Sequence, residues 1–167
     1  MNKEFGKVYA DILAVCNSGK IGTPQVCVIS TNTLLTGELL KEKITDELSL
    51  ISAVCKGDLD KEKCVEHKQP YAYGFISREY KNGNIGRYTY TAAPIAENTQ
   101  ITVYGTDGEL RFDSATMQIV LFAQVPDYTG DIYKGNANDC DYLVLRGVET
   151  RGADEHIAKI LSETVEK

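Results

Sequence analysis

Hydrophobic residues recur at helical spacing in two segments near the start of the chain. Residues 3–16 and residues 36–55 each carry an apolar side chain at every third or fourth position. Because an α-helix turns once in about 3.6 residues, each pattern predicts an amphipathic helix with one buried stripe. The stripe residues are Phe5, Val8, Ile12, Leu13 and Cys16 in the first segment, and Leu40, Ile44, Leu48, Ile51 and Cys55 in the second.

The segments around the second helix carry different signals. Residues 25–30 are short and β-branched, and turn residues precede them, which predicts a strand. Residues 56–63 are highly polar and predict a loop. The charged positions of the helix itself predict a solvated outer face, formed by Glu38, Lys41, Glu42, Lys43 and Glu47.

From residue 71 onward the hydrophobic pattern alternates, as it does in strands. An Asn-Gly pair at residues 82–83 predicts a hairpin, and short turns between successive strands favour antiparallel pairing. A last amphipathic segment, 154–165, predicts a C-terminal helix. The sequence thus predicts one α+β domain over residues 1–167, with an antiparallel five- to six-stranded sheet, two N-terminal helices and a C-terminal helix. The predicted strands are 73–78, 85–91, 100–104, 109–113, 117–124 and 142–148.

Composition narrows the function classes. The chain has 167 residues, 43% of them hydrophobic, and a net charge of −6, which fits one globular domain. Its lysines alternate with acids, so no nucleic-acid partner is expected. No apolar run approaches the roughly 20 residues that a membrane-spanning helix requires.

Familiar catalytic motifs are absent from the sequence. It contains neither the glycine-rich fingerprints of nucleotide-binding proteins nor the serine and histidine motifs of hydrolases and zinc proteases. Several carboxylates exist, but no feature selects two of them as an acid and base pair. No catalytic residue and no cofactor are therefore predicted.

Five cysteines leave two alternatives open. Cys16 and Cys27 flank one short loop, and Cys55 and Cys64 flank another, so each pair is a candidate disulfide. Cys140 is left over, and free cysteines are often buried as small hydrophobic residues. Bridged cysteines would indicate an extracytoplasmic protein, and free thiols a cytoplasmic one.

Two metal sites are also hypotheses. Cys64 and His67 stand three positions apart with Cys55 nearby, and thiolates and imidazoles are zinc ligands. The long irregular segment 126–141 is rich in oxygen donors of the kind that calcium prefers. Its Asx residues are equally typical of turns.

Tyrosine provides the remaining signal, with ten tyrosines and no tryptophan in the chain. Tyrosines pack well within sheets, but an exposed tyrosine face would also suit a protein partner or self-assembly. The sequence therefore favours a non-catalytic structural or interaction subunit that uses a tyrosine-rich sheet face and the 126–141 loop. The alternatives are an extracytoplasmic binding module, whose plan resembles pilin-type subunits in architecture alone, and a small metal- or carboxylate-dependent enzyme. The proposed binding residues are Tyr73, Tyr88, Tyr90, Tyr128 and Tyr133.

Overall fold

A computed structural model describes residues 3–123, 132–134 and 141–146 of the chain. Its two helices are α1, Lys3–Asn17, and α2, Gly37–Cys55, which confirms both predicted N-terminal helices. The segment 154–165, predicted as a C-terminal helix, lies outside the described residues. The strands are β1 Pro24–Thr33, β2 Leu59–His67, β3 Ala72–Tyr80, β4 Ile85–Ala92, β5 Asn98–Gly105, β6 Gly108–Asp113, β7 Gln118–Ala123, β8 Ile132–Lys134 and β9 Asp141–Arg146.

All these strands form one sheet, in the order β2-β3-β4-β1-β5-β6-β7-β9-β8. Strands β1 and β4 pair in parallel, and the other neighbours are antiparallel. The predicted antiparallel sheet of five or six strands is therefore wrong in both strand number and topology. The physical reason is that α2 carries the chain back across the sheet after β1, and such a crossover allows a parallel pair.

Strand β2 occupies one edge of the sheet, where residues 56–63 were predicted to form a loop. All nine of its residues are exposed, and among the described strands its one partner is β3. Neither face of β2 is buried, so its sequence lacks the alternation that marks a half-buried strand. Alternating charges on an edge strand are typical of edges that avoid further pairing.

The helices pack on one face of the sheet, and the core is buried between the helices and the sheet. Helix α2 approaches β4 so closely that a Cβ at Gly86 would collide with Cγ2 of Ile51. Neither α1 nor α2 has the length and apolar character needed to cross a membrane. The largest fully buried side chains are Tyr88, Phe112, Ile12, Ile21, Ile29, Ile51, Ile101, Leu110, Ile119 and Leu121.

Candidate ligand site on helix α2

Glu47 lies on the inner side of α2, where the sequence predicted an outward-facing charge. Glu47 is fully buried, so the prediction that it faces solvent is wrong. The sequence contained the signal, because position 47 is seven residues after Leu40 and four before Ile51, on the apolar stripe of the helix. A carboxylate at such a position needs polar partners, since burying an unpaired charge is costly.

The sheet supplies hydroxyl partners for this carboxylate. Thr31 Oγ1 lies 2.9 Å from both Glu47 oxygens, and Tyr88 donates to Oε2 at 2.5 Å. Thr99 Oγ1 lies 3.3 Å from Oε1 and 3.1 Å from Thr31 Oγ1. Strands β1, β4 and β5 therefore converge on one helical side chain.

The helices complete the Glu47 cluster, which we define as Glu47 with Tyr9, Thr31, Lys43, Tyr88 and Thr99. The hydroxyl of Tyr9 donates to Glu47 Oε1 at 3.2 Å, and Lys43 Nζ lies 3.0 Å from the same oxygen. Burial, reinforced by the negative charge of Glu47, raises the pKa of the Tyr9 and Tyr88 hydroxyls well above the ordinary tyrosine value. Both tyrosines therefore stay protonated and act as donors at physiological pH.

The opposite, outer side of α2 carries an open polar depression of about 540 Å³, and all of its lining residues belong to this one helix. Lys41 Nζ lies 2.6 Å from Glu38 Oε1, and the Thr45 hydroxyl donates to the Lys41 carbonyl at 2.8 Å. The sequence analysis predicted that these positions form a solvated helix face. Charged residues give the same sequence pattern whether they bind a ligand or contact only solvent. We call this the α2 cavity, and it is lined by Glu38, Lys41, Glu42, Thr45 and Asp46.

The structure does not assemble the predicted zinc site. Cys55 is buried at the end of α2, where its thiol donates to the Ile85 carbonyl at 3.5 Å. Cys64 and His67 lie on β2 but, three positions apart, point to opposite faces of the strand. His67 instead stacks on Tyr73, with 4.9 Å between ring centroids. Within the described residues, no three His, Cys, Asp or Glu side chains form a metal site.

The structure holds Cys16, Cys27, Cys55 and Cys64 as free thiols, so neither predicted disulfide is present in it. Cys16, Cys27 and Cys55 are buried, whereas Cys64 is exposed on the edge strand. Burial raises the pKa of Cys16 to about 12 and that of Cys55 to about 11. These thiols are therefore neutral core residues at physiological pH, which disfavours a nucleophilic role.

The proposed tyrosine residues do not share one surface. Tyr88 and Tyr90 are buried on the helix-facing side of the sheet, and Tyr90 donates to Glu66 at 3.3 Å. Tyr73 is 47% exposed and lies on the opposite face. Tyr133 belongs to β8, whereas Tyr128 lies outside the described residues. Most of the predicted 126–141 loop, including the calcium hypothesis based on it, also lies outside the described residues.

A second, more apolar cavity of about 470 Å³ lies beside the His67–Tyr73 stack. Val65, Phe75 and Tyr73 contribute to its lining from β2 and β3, together with residues of β4. It contains fewer charged groups than the α2 cavity and combines aromatic and aliphatic side chains with a few polar ones.

Several solved structures similar to this fold are dehydrogenases. The chain matches UDP-N-acetylglucosamine 3-dehydrogenase from Acidithiobacillus ferrooxidans with a TM-score of 0.59 and 9% identity, over 84% of this chain and 46% of that one. Levoglucosan dehydrogenase in complex with NADH gives a TM-score of 0.60 and 11% identity, over 93% of this chain and 55% of that one. An inositol dehydrogenase homologue from Azotobacter vinelandii, complexed with NADH and myo-inositol, gives a TM-score of 0.59 and 15% identity, over 88% of this chain and 42% of that one.

These similarities concern the fold, because the identities are low. The chain spans about half the length of the structures it matches. No family model matches the sequence, and no curated protein is significantly similar to it.

The predicted role as a non-catalytic structural or assembly subunit is contradicted, because the solved structures that share this fold, as described above, are oxidoreductases.

Proposed function

We propose that this chain is the substrate-side half of a dehydrogenase-type fold, and that its α2 cavity binds a small polyhydroxylated molecule such as a sugar or polyol. The observation that carries the proposal is the fold itself, which spans about half of dehydrogenases that act on or bind sugars and polyols. Hydride transfer would then require a nicotinamide cofactor carried by a second unit.

The chain's own residues do not fit a dinucleotide. A dinucleotide-binding half has a mainly parallel sheet, with a glycine-rich turn between a strand and a helix N-terminus. Here one strand pair is parallel, and the β1–α2 connection has a single glycine, Gly37, in residues 34–37. Glu38 follows in the first helical turn, where its negative charge would oppose a pyrophosphate. We therefore assign no dinucleotide to this half.

The chemistry of the α2 cavity suits hydroxyl groups. Carboxylates accept hydrogen bonds from sugar hydroxyls, and an ammonium group donates to them. Lys41 and Glu38 supply one of each, and both side chains are accessible, at 71% and 80% exposed. Thr45 Oγ1 uses its proton on the Lys41 carbonyl, so its lone pairs remain available as acceptors.

Calorimetric titration of the purified chain with myo-inositol, levoglucosan and NADH tests the proposal. We expect binding of at least one polyol and no binding of NADH alone. Lys41→Met and Thr45→Val should each weaken polyol affinity about tenfold by removing one cavity contact. A matched control is Arg111→Met on β6, which removes an exposed cation paired with Glu109 at 2.7 Å from outside the cavity. Tight binding of NADH, or polyol binding that is insensitive to both cavity variants, would contradict the assignment.

A further inference from the structure

The more apolar cavity, of about 470 Å³, lies beside the His67–Tyr73 stack on strands β2, β3 and β4. We infer that this cavity, which we call the sheet cavity, binds an uncharged ligand with a planar aromatic ring, such as a phenol or an indole. The inference is independent of the polyol site proposed for the α2 cavity. Its volume falls in the range of small-ligand sites, about 300–1,000 Å³, which combine apolar and aromatic walls with a few polar groups.

The strand register places six of the cavity-lining side chains on one face of the sheet. Tyr88 on β4 points towards α2, because its hydroxyl donates to Glu47. Side chains alternate along a strand, so Thr89 and its register partners lie on the face away from the helices. They form two adjacent rows across the strands, Val65, Phe75 and Thr89 in one and His67, Tyr73 and Thr91 in the other.

The His67–Tyr73 stack leaves a position for a third ring. The two rings are parallel to within 5°, and their centroids are 4.9 Å apart, which matches the spacing of about 4.8 Å between neighbouring strands. Each ring therefore turns its faces towards the neighbouring strands. One face of Tyr73 meets His67 on β2, and the other is directed towards β4, where the register partner is the small residue Thr91. A planar ring above Thr91 would continue the stack in the offset geometry that aromatic rings favour.

This ring position is accessible from solvent. Tyr73 is 47% exposed and Val65 is 56% exposed. An aromatic pair on neighbouring strands stabilises a sheet without any ligand, but such a pair does not by itself require a cavity next to it. The cavity beside the open face of Tyr73 is what points to a ligand.

Thr89 and Thr91 supply polar groups for the edge of the ligand ring. A threonine hydroxyl can both donate and accept hydrogen bonds. Neither hydroxyl bonds to another residue in the part of the chain that the structure describes. A ring above Thr91 with its O–H or N–H directed at the sheet can therefore bond to β4 and keep its apolar edge outward.

The charges around the sheet cavity favour an uncharged ligand. Glu66 contributes to the lining, but its carboxylate accepts from the Tyr90 hydroxyl at 3.3 Å, and Tyr90 is buried on the helix-facing side. Among the described residues, no lysine or arginine lines the cavity. A ligand carboxylate or phosphate would thus lose water here without gaining a cation as a partner.

Titration of the purified chain with phenol and indole, followed by NMR, tests the inference. Cyclohexanol is the matched control ligand, because it keeps the size and the hydroxyl of phenol but has no aromatic ring. We expect phenol and indole to bind at least about fivefold more tightly than cyclohexanol. Their stacking should also shift the ring protons of Tyr73 upfield, since these protons then lie over the face of the ligand ring.

Two variants locate the binding. Tyr73→Leu keeps an apolar side chain but removes the stacking face, and should weaken phenol and indole binding at least about fivefold. Thr91→Phe fills the third ring position and should abolish it. Tyr104→Leu on β5 is the control, since Tyr104 is similarly exposed, at 45%, and lies outside the cavity. Cyclohexanol binding as tight as that of phenol, no upfield shift at Tyr73, or equal affinity in all three variants would overturn the inference.

Discussion

The hydroxyl of Tyr88 donates a 2.5 Å hydrogen bond to Glu47 Oε2, which joins the centre of the sheet to the middle of helix α2. Both residues are fully buried. Because Thr45 and Asp46 of the α2 cavity directly precede Glu47, the bond that fixes the inner side of the helix also fixes the position of its outer side. A buried polar cluster of this kind specifies one arrangement more strictly than apolar contacts do.

Replacing Glu47 should destabilise the fold more than replacing any exposed acid on α2. Glu47→Ala removes the buried carboxylate that accepts from the Tyr88 and Thr31 hydroxyls, and we expect a loss of about 3–5 kcal/mol in the free energy of unfolding. Urea denaturation measures this loss. Glu38→Ala is the control, since its exposed ion pair with Lys41 contributes about 1 kcal/mol or less. Equal losses in the two variants would show that the Glu47 cluster stabilises the fold no more than an exposed ion pair does.

Removing the Tyr88 hydroxyl should have a smaller effect that depends on Glu47. Tyr88→Phe keeps the ring in place and removes one donor, so we expect a loss of about 1–3 kcal/mol. Tyr90→Phe is the matched control, because its 3.3 Å bond to Glu66 ends at an exposed residue of β2. A double-mutant cycle of Tyr88→Phe with Glu47→Gln should give a coupling energy of about 0.5–3 kcal/mol. Additive effects would mean that the two side chains act independently.

Close packing of α2 on β4 gives a prediction that does not involve polar groups. Gly86→Ala places a methyl group where Cγ2 of Ile51 already lies, and overpacking of this kind costs about 1–3 kcal/mol. Ile51→Ala leaves a cavity and is destabilising alone, but it provides space for the new methyl. The double variant should therefore be more stable than the sum of the single losses predicts. Gly83→Ala is the control: it is destabilising through its positive φ of 87°, and Ile51→Ala should not rescue it, since no atom lies within 4 Å of its added Cβ.

The helices and most strands could be predicted because their signals are local. Residues 85–91 alternate between buried and exposed positions whether their neighbours are parallel or antiparallel, so alternation predicted β4 but not its parallel pairing with β1. That pairing depends on where α2 returns the chain, which no short segment of sequence encodes. Strand β2 was missed for the opposite reason, because a strand exposed on both faces has no apolar alternation.

The candidate site was harder to predict than the fold. Glu47 could have been identified from its position on the apolar stripe, where a charge requires a buried partner. The α2 cavity could not, because Glu38 and Lys41 have the same sequence pattern whether they bind a ligand or only solvent. Tyr88 and Tyr90 were assigned to a binding face because residue type alone does not tell which side of a sheet a strand position faces. Their burial follows from the register with β1 and β3.

Thiol accessibility gives a direct test of the buried cysteines. Alkylation of the native protein should modify Cys64, which is exposed, and leave Cys16, Cys27 and Cys55 unmodified. After denaturation all four should react. Peptide mass spectrometry assigns each modification to its cysteine and keeps Cys140 separate. Rapid native modification of Cys27 would contradict its burial in the core, and a disulfide between Cys16 and Cys27 would contradict their assignment as free thiols.

Alkaline pH should destabilise the protein through the same buried thiols. Burial raises the pKa of Cys16 from its ordinary value of 9.0 to about 12, so the unfolded chain loses this proton at lower pH than the folded one. The stability contributed by this group is therefore fully present below pH 9 and is lost as the pH rises towards 12. Between about pH 8 and about pH 10, one such thiol lowers the free energy of unfolding by about 1 kcal/mol.

Cys16→Ala lacks the titrating group, so its urea midpoint should fall less than that of the wild type over this interval, whatever its stability at neutral pH. Cys64→Ala is the control, because Cys64 is exposed and its removal should leave the pH dependence close to that of the wild type. If Cys16→Ala loses stability with pH as steeply as the wild type does, the Cys16 thiol is not held in a buried environment.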